Sequence, residues 1–265
     1  VVEVKAPLNI AAVGKATLEK DFDKLNGVYQ IYTPDQIVEM ATLSAVQTKG
    51  MTFNIARDID MRGLSIVPIA QFEGILQGNG KTVSNYNVNS MVGNNAGIVA
   101  VNNGEIKDIT LIGNVDVTVV SGFKKTYNIG GVVGENNGIL SNITLAGQTL
   151  SLDGGYNMTT FGTVRAFNKS LNTQVKYNIG GIAGVEGAKS VITNCVTTAP
   201  VAEVKDANGN VTVEKVVGTT VKFEAMLAIL GVEANIGGLT AQKHGDAAIE
   251  VKAAGAMVFL TINKI

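Results

Sequence analysis

The chain has 265 residues, 46% hydrophobic but only 5% aromatic, with no Trp and 31 glycines. Any core is therefore built from small and β-branched side chains in regular layers, a composition that suits stacked repeats. Charged residues make up 16% and the formal net charge is -1, so no basic field attracts nucleic acid or an anionic membrane.

The single cysteine, Cys195, and the single histidine, His244, leave no disulfide framework and no Cys-rich or paired-His zinc site. No metal and no cofactor is expected. The start VVEVKAPLNI lacks the charged-then-apolar pattern of a signal peptide, as a processed secreted chain or a trimmed one would. No apolar run reaches about 18 residues, so no membrane insertion is expected of this chain.

Residues 1–30 combine VVEVKAPLNIAAVG, an edge strand or the remnant of a preceding module, with TLEKDFDKL, a polar helix or linker. In YTPDQIVEMATLSAV, Thr33 is an N-cap, Pro34 suits the first helical position and Gln36 completes a capping box. Ile37, Met40, Ala41 and Ser44 give a mostly apolar stripe at helical spacing, so a short capping helix is predicted at about 34–46. MTFNIARDIDM then alternates as a first strand. Its Asp58 and Asp60 share a face, which suits calcium with Asp153 or Asp116; a polar strand edge with Arg57 as counter-ion is the reading favoured here, because calcium needs 6 to 8 oxygens.

FEGILQGNGKTV ends like a phosphate-binding loop, but the position five before Gly80 is Ile75, not glycine, and no helix formers follow. It belongs to a repeat instead. GNGKTVSNYNV, NNGEIKDITL, NNGILSNITL and GAKSVITNCVT align so that Val83, Ile106, Leu140 and Ile192 share an apolar position. In the same frame Asn85, Asp108, Asn142 and Asn194 share a polar one, followed by Tyr86, Ile109, Ile143 and Cys195 and then Val88, Leu111, Leu145 and Thr197. Apolar residues one position apart face the same side of a strand. The Asn or Asp before them marks a corner with left-handed backbone angles, and the recurring NIGG segments mark further corners. Strand, corner, strand, corner is one coil of a solenoid. The spacing reads as one coil up to Ile106, one coil with an insertion up to Leu140, and two coils up to Ile192.

These residues, FEGILQGNGKTVSNYNV, GGVVGENNGILSNITL and GGIAGVEGAKSVITNC, resemble the GLUG-type repeats of bacterial surface proteins. The resemblance runs from about Val38 to Cys195 and more weakly to the C-terminus. Tyr86 stands where such repeats usually carry Leu, and the last repeat lacks its Asn corner. The resemblance implies an all-β, right-handed parallel β-helix spanning residues 31–265 behind the helical cap. It implies a secreted or cell-surface location and an adhesive or carbohydrate-associated role, and it supplies no catalytic residues. The expected partner is a glycan or a host or cell-surface protein.

Protruding loops are expected around 119–128, 155–177 and 201–216, the last a β-hairpin turning at DANGN. VKFEAMLAILGV reads as strand from the alternation of Val221, Phe223 and Ala225. Tyr127, Phe161, Phe167 and Tyr177 fall near the insertions and are the candidate ligand-binding residues, able to stack on sugar rings; packing of loops onto the coil is the bland reading, and it is preferred. Catalysis finds no constellation: the corner column carries one carboxylate among amides, with Lys107, Ser141 and Thr193 beside it. No G-x-S-x-G elbow occurs, Asp108 reads as a corner residue, His244 as a solvated loop residue and Cys195 as buried and inert. The function expected is a non-catalytic extracellular binding module; a polysaccharide lyase or glycoside hydrolase on the same scaffold, or a structural spacer, are the alternatives.

Overall fold

The computed structural model describes residues 17–120, 124–151, 158–169, 174–199, 204–213, 218–226, 232–254 and 258–263. Of the described residues, strands account for 58% and helices for 7%, so the fold is all-β, with parallel sheets none of which closes on itself. From Ile69 the chain visits three sheets in a fixed order. Ile69–Phe72 lies in a four-stranded sheet, Ile75–Val88 in a twelve-stranded one and Asn95–Ala96 in a five-stranded one. Val99–Asn102, Glu105–Val119 and Thr126–Gly130 repeat the circuit, and Val133–Asn136 and Ile139–Leu145 begin the next. Each strand pairs in parallel with its counterpart one circuit later: Leu76 with Ile106, Ile106 with Leu140, Leu140 with Ile192.

Because side chains alternate along a strand, this register stacks like on like. Ile106 and Leu140, Ile109 and Ile143, and Leu111 and Leu145 all point inward and are buried. Each contributes about 1.5–3 kcal/mol by leaving water. The Asn corner is real for three of its four predicted members: Asp108, Asn142 and Asn194 have φ of 54°, 53° and 51°. Their side chains form a ladder, Asn142 Nδ2 donating to Asp108 Oδ1 at 2.8 Å and Asn194 Nδ2 to Asn142 Oδ1 at 3.1 Å.

Asn85 is a correction. It too is left-handed, with φ 59°, but Val83 pairs with Leu111 rather than Ile106. Gln77 lies on the parallel strand before that of Asp108, donating from Nε2 to Asp108 Oδ2 at 2.7 Å. The reason is the insertion Gly78-Asn79-Gly80, which bulges opposite Asp108 and supplies the corner through Asn79 (φ 54°) and Gly80 (φ 70°). Asn85 belongs to a separate corner, where its Nδ2 donates to Asp60 Oδ1 at 2.9 Å.

The interval from Leu140 to Ile192 also differs from expectation: direct pairing of the two makes it one circuit, not two. Glu105–Val119 runs unbroken, whereas its next-circuit neighbours are the separate strands Ile139–Leu145 and Thr163–Asn168. The antiparallel hairpin of Gln148–Ser151 with Met158–Phe161 leaves the stack at that split. Val204–Lys205 pairs antiparallel with Val211–Val213 around Asp206, whose Oδ1 accepts from the amides of Asn208 and Asn210; this is the hairpin expected at 201–216 in its described part. Thr220–Met226 is strand, as the alternation indicated.

At the other end, helix α1 (Pro34–Met40) has the Thr33–Gln36 capping box in both directions. It buries Ile37 and Met40 over the first circuit, where they meet Ile55, Ile66 and Leu76. The predicted helix at 34–46 is broken, because Ser44 points its hydroxyl at the Gln47 amide and starts a second short helix, α2 (Ala45–Thr48). Residues 1–16 lie outside the described residues. In the rest of the N-terminal segment, TLEKDFDKL forms a 3-10 turn, Leu18–Asp21, and a short strand, and Val28–Ile31 joins the long sheet beside Thr52–Ile55.

Candidate functional site

Of the four aromatic residues singled out in the sequence, three lie inside. Tyr177 is fully buried, Tyr127 and Phe161 nearly so. The parallel register sets Tyr127 against Tyr177, with ring centroids 5.4 Å apart, and Tyr177 stands 5.2 Å from Phe223. The Tyr177 hydroxyl donates to Asn168 Oδ1 at 2.9 Å within the core. Rings in these positions are buried and closed to a ligand. Phe167 alone of the four faces outward and is half-buried. Its ring is flanked by Arg165 at 4.8 Å and Lys169 at 4.9 Å. Arg165 is held across neighbouring circuits, Nη1 donating to Asp116 Oδ1 at 2.9 Å and Nη2 to Glu224 Oε2 at 2.6 Å.

That array is electrostatically self-contained. The hydrogen bond from Arg165 holds the Glu224 carboxyl below its ordinary range against the opposing effect of burial. A carboxylate held ionised in this way has no proton to deliver as a general acid at neutral pH. Asp108 is likewise lowered, by its bonds from Gln77 and Asn142, and serves the corner. His244 is exposed, and Cys195 is buried with its thiol pushed up by desolvation.

A concave surface lies where the sequence gave no motif. Tyr32 to Asp35, leading into α1, face Arg57 to Leu64 across a cleft of about 540 Å³. Its apolar wall is Tyr32, 40% exposed, and Leu64, 43% exposed. The polar rim is anchored to the scaffold by one atom of each side chain. Asp58 Oδ1 accepts from the Thr82 amide at 2.8 Å, and Asp60 Oδ1 accepts from the Arg62 amide at 2.8 Å and from Asn85 Nδ2. Arg57 Nε donates to the Tyr32 carbonyl at 2.7 Å, so this arginine clamps the cleft wall rather than pairing with the aspartates. The Oδ2 atoms of both aspartates and the terminal nitrogens of Arg57 stay outside these bonds.

A calcium grouping of Asp58 and Asp60 with Asp116 does not form, since Asp116 is held by Arg165, and Asp153 is outside the described residues. Among the described residues no three His, Cys, Asp or Glu side chains gather as a metal site. Nor, among them, is any helix long and apolar enough to cross a membrane.

Two further amide ladders went unread in the sequence. Asn95, Asn128, Asn178 and Asn235 are linked in turn by bonds of 2.8, 2.8 and 3.1 Å. Asn102 and Asn136 are linked at 2.8 Å in the core. The recurrence of N-I-G-G at 128, 178 and 235 and of N-N-G at 102 and 136 is the signal that marks them. No family model, curated protein or solved structure matches the chain.

Proposed function

We propose that the chain is a right-handed parallel β-helix of the GLUG-type kind, working as a non-catalytic binding or adhesive module at a bacterial cell surface or outside the cell. The constant order of three sheets and the one-circuit register support the scaffold. The cleft beside α1 carries the functional reading. A pyranose ring offers an apolar face and a rim of hydroxyls; Tyr32 and Leu64 match the first. The uncommitted oxygens of Asp58 and Asp60 and the guanidinium of Arg57 match the second, because they both accept and donate. Carbohydrate is therefore the ligand class. A glycoside hydrolase needs a carboxyl still protonated at working pH beside an ionised partner, and the lowered Glu224 and Asp108 argue against those two as that acid.

The test is a broad glycan array with the intact chain, Tyr32→Ala and Phe167→Ala. Saturable binding that Tyr32→Ala abolishes and Phe167→Ala keeps is the expected result. Binding lost only in Phe167→Ala moves the site to the outward face around Arg165. Silence of the intact chain across the array overturns the carbohydrate reading in favour of a spacer or a protein ligand.

A further inference from the structure

Charges on the outer face of the long sheet cancel one another. Asp116, Arg165, Glu224, Lys222 and Glu250 form a continuous chain of ion pairs across neighbouring strands, with N–O distances from 2.6 to 3.4 Å. The cleft beside α1 does the opposite. It gathers three carboxylates, Asp35, Asp58 and Asp60, and two guanidinium groups, Arg57 and Arg62. All five residues are exposed, and among the described residues none of them stands in an ion pair. The hydrogen bonds supply the reason. Asp58 is tied to the Thr82 amide, Asp60 to the Arg62 amide and Asn85, and Arg57 to the Tyr32 carbonyl. One atom of each side chain is committed to the scaffold, which fixes where its charge stands and keeps it from swinging onto a neighbour.

The backbone at Arg62 is a second observation. Its φ is 54°, in the left-handed region. Asn or Asp fills five of the eight left-handed non-glycine positions among the described residues, because a short polar side chain tolerates those angles. Arg62 has no such side chain, and among the described residues its guanidinium makes no hydrogen bond or ion pair that would offset the strain. The corner itself uses only backbone groups here: the Arg62 amide donates to Asp60 Oδ1 at 2.8 Å and the Gly63 amide to the Asn85 carbonyl at 2.6 Å. An asparagine makes the same corner with less strain. What arginine adds is a cation in the cleft lining, and strained positions of this kind collect at ligand clamps.

We infer that the cleft takes a saccharide bearing both a cationic and an anionic substituent, a protonated amine and a carboxylate; this rests on the carbohydrate reading above and narrows it. The ammonium donates to the uncommitted Oδ2 atoms of Asp58 and Asp60, and the carboxylate accepts from the planar fork of Arg62. Such charge-assisted bonds are roughly twice as strong as neutral ones. Because the charged groups already stand apart, no internal pair has to break and little ordering remains when the ligand arrives. A saccharide of one sign meets partners in one set and repulsion from the other. A neutral one leaves both sets unanswered.

The experiment is isothermal titration calorimetry of the 265-residue chain at a pH where the sugar amine is protonated. The probes are a neutral cellulose fragment, a chitosan fragment carrying amines only, an oligogalacturonate carrying carboxylates only, and an oligosaccharide of alternating glucuronate and free-amine glucosamine. The mixed-charge probe is expected to bind at least about tenfold tighter than each of the others. Arg62→Asn brings its affinity down to that of the amine-only probe without lowering the urea midpoint, since asparagine suits a φ of 54°. A merely structural Arg62 gives the reverse, a lower midpoint with binding unchanged. Asp58→Asn keeps an oxygen for the Thr82 amide and weakens the mixed probe at least about tenfold. Equal affinity for the neutral and mixed probes overturns the inference and leaves the carbohydrate reading standing. So does a single-charge probe that binds as tightly as the mixed one. Silence of all the probes overturns both.

Discussion

Asn136→Ala tests whether the buried amide ladder holds successive circuits together. Asn102 and Asn136 are both fully buried. Asn136 Oδ1 accepts from Asn102 Nδ2 at 2.8 Å, and Asn136 Nδ2 donates to the Gly138 carbonyl at 3.2 Å. Truncation removes both bonds, at about 1 kcal/mol each. The Gly138 carbonyl keeps a bond from the Val191 amide at 2.9 Å and is not orphaned. Asn102 Nδ2 is left with only a long 3.4 Å contact to the Gly104 carbonyl, which adds the cost of a poorly satisfied buried donor, about 1–3 kcal/mol. The sum is about 3–5 kcal/mol. The control is Asn137→Ala at the next residue, just past the end of the strand, whose bonds to Asn103 and Glu135 at 3.3 and 3.0 Å lie where water replaces them, so its cost stays within about 0.5 kcal/mol. Urea unfolding followed by circular dichroism, with the slope checked for constancy, measures both. Equal costs for the two variants would refute the argument that the inward ladder, and not asparagine stacking as such, stabilises the stack.

Tyr86 is fully buried and its hydroxyl has no hydrogen-bond partner, so Tyr86→Phe should raise stability by about 1 kcal/mol in the same urea assay. Burial also pushes the Tyr86 phenol above the ordinary 10.0. The stability linked to it is therefore complete below about pH 10 and declines as pH rises further, because the unfolded chain releases that proton first. Urea midpoints at about pH 8 and about pH 11 should fall further apart in the intact chain than in Tyr86→Phe; buried Tyr177 shifts in the same direction and keeps part of the effect in both. Gly104→Ala should cost about 3 kcal/mol or more, since a methyl there presses on the Gly74 carbonyl of the circuit before. Gly80→Ala meets no atom within 4 Å and should cost only about 1–2 kcal/mol, from its φ of 70°. If the two cost the same, close approach between circuits is not what selects glycine at 104.

The alternation of Val175, Tyr177 and Ile179 already places Tyr177 inward, just as Val164, Ala166 and Asn168 leave Phe167 outward. Reading those residues as loop neighbours rather than strand members hid this. The cleft beside α1 has no comparable signature, since Tyr32, Arg57 and Leu64 are brought together only when Val28–Ile31 docks beside Thr52–Ile55.

What the sequence determined by itself is local. The Thr33–Gln36 capping box, the left-handed corners at Asp108, Asn142 and Asn194, and the inward or outward sense of each strand residue follow from backbone preferences and the period of two. What only the tertiary structure decided is which residues meet across circuits. Asn85 and Asn79 are equally good corner residues in isolation, with φ of 59° and 54°. Which one precedes Asp108, and whether Leu140 to Ile192 is one circuit or two, depends on where inserted residues bulge out. A ladder between parallel strands joins residues a whole circuit apart, so its register is fixed by packing and hydrogen bonding over that distance and by nothing in the intervening sequence alone.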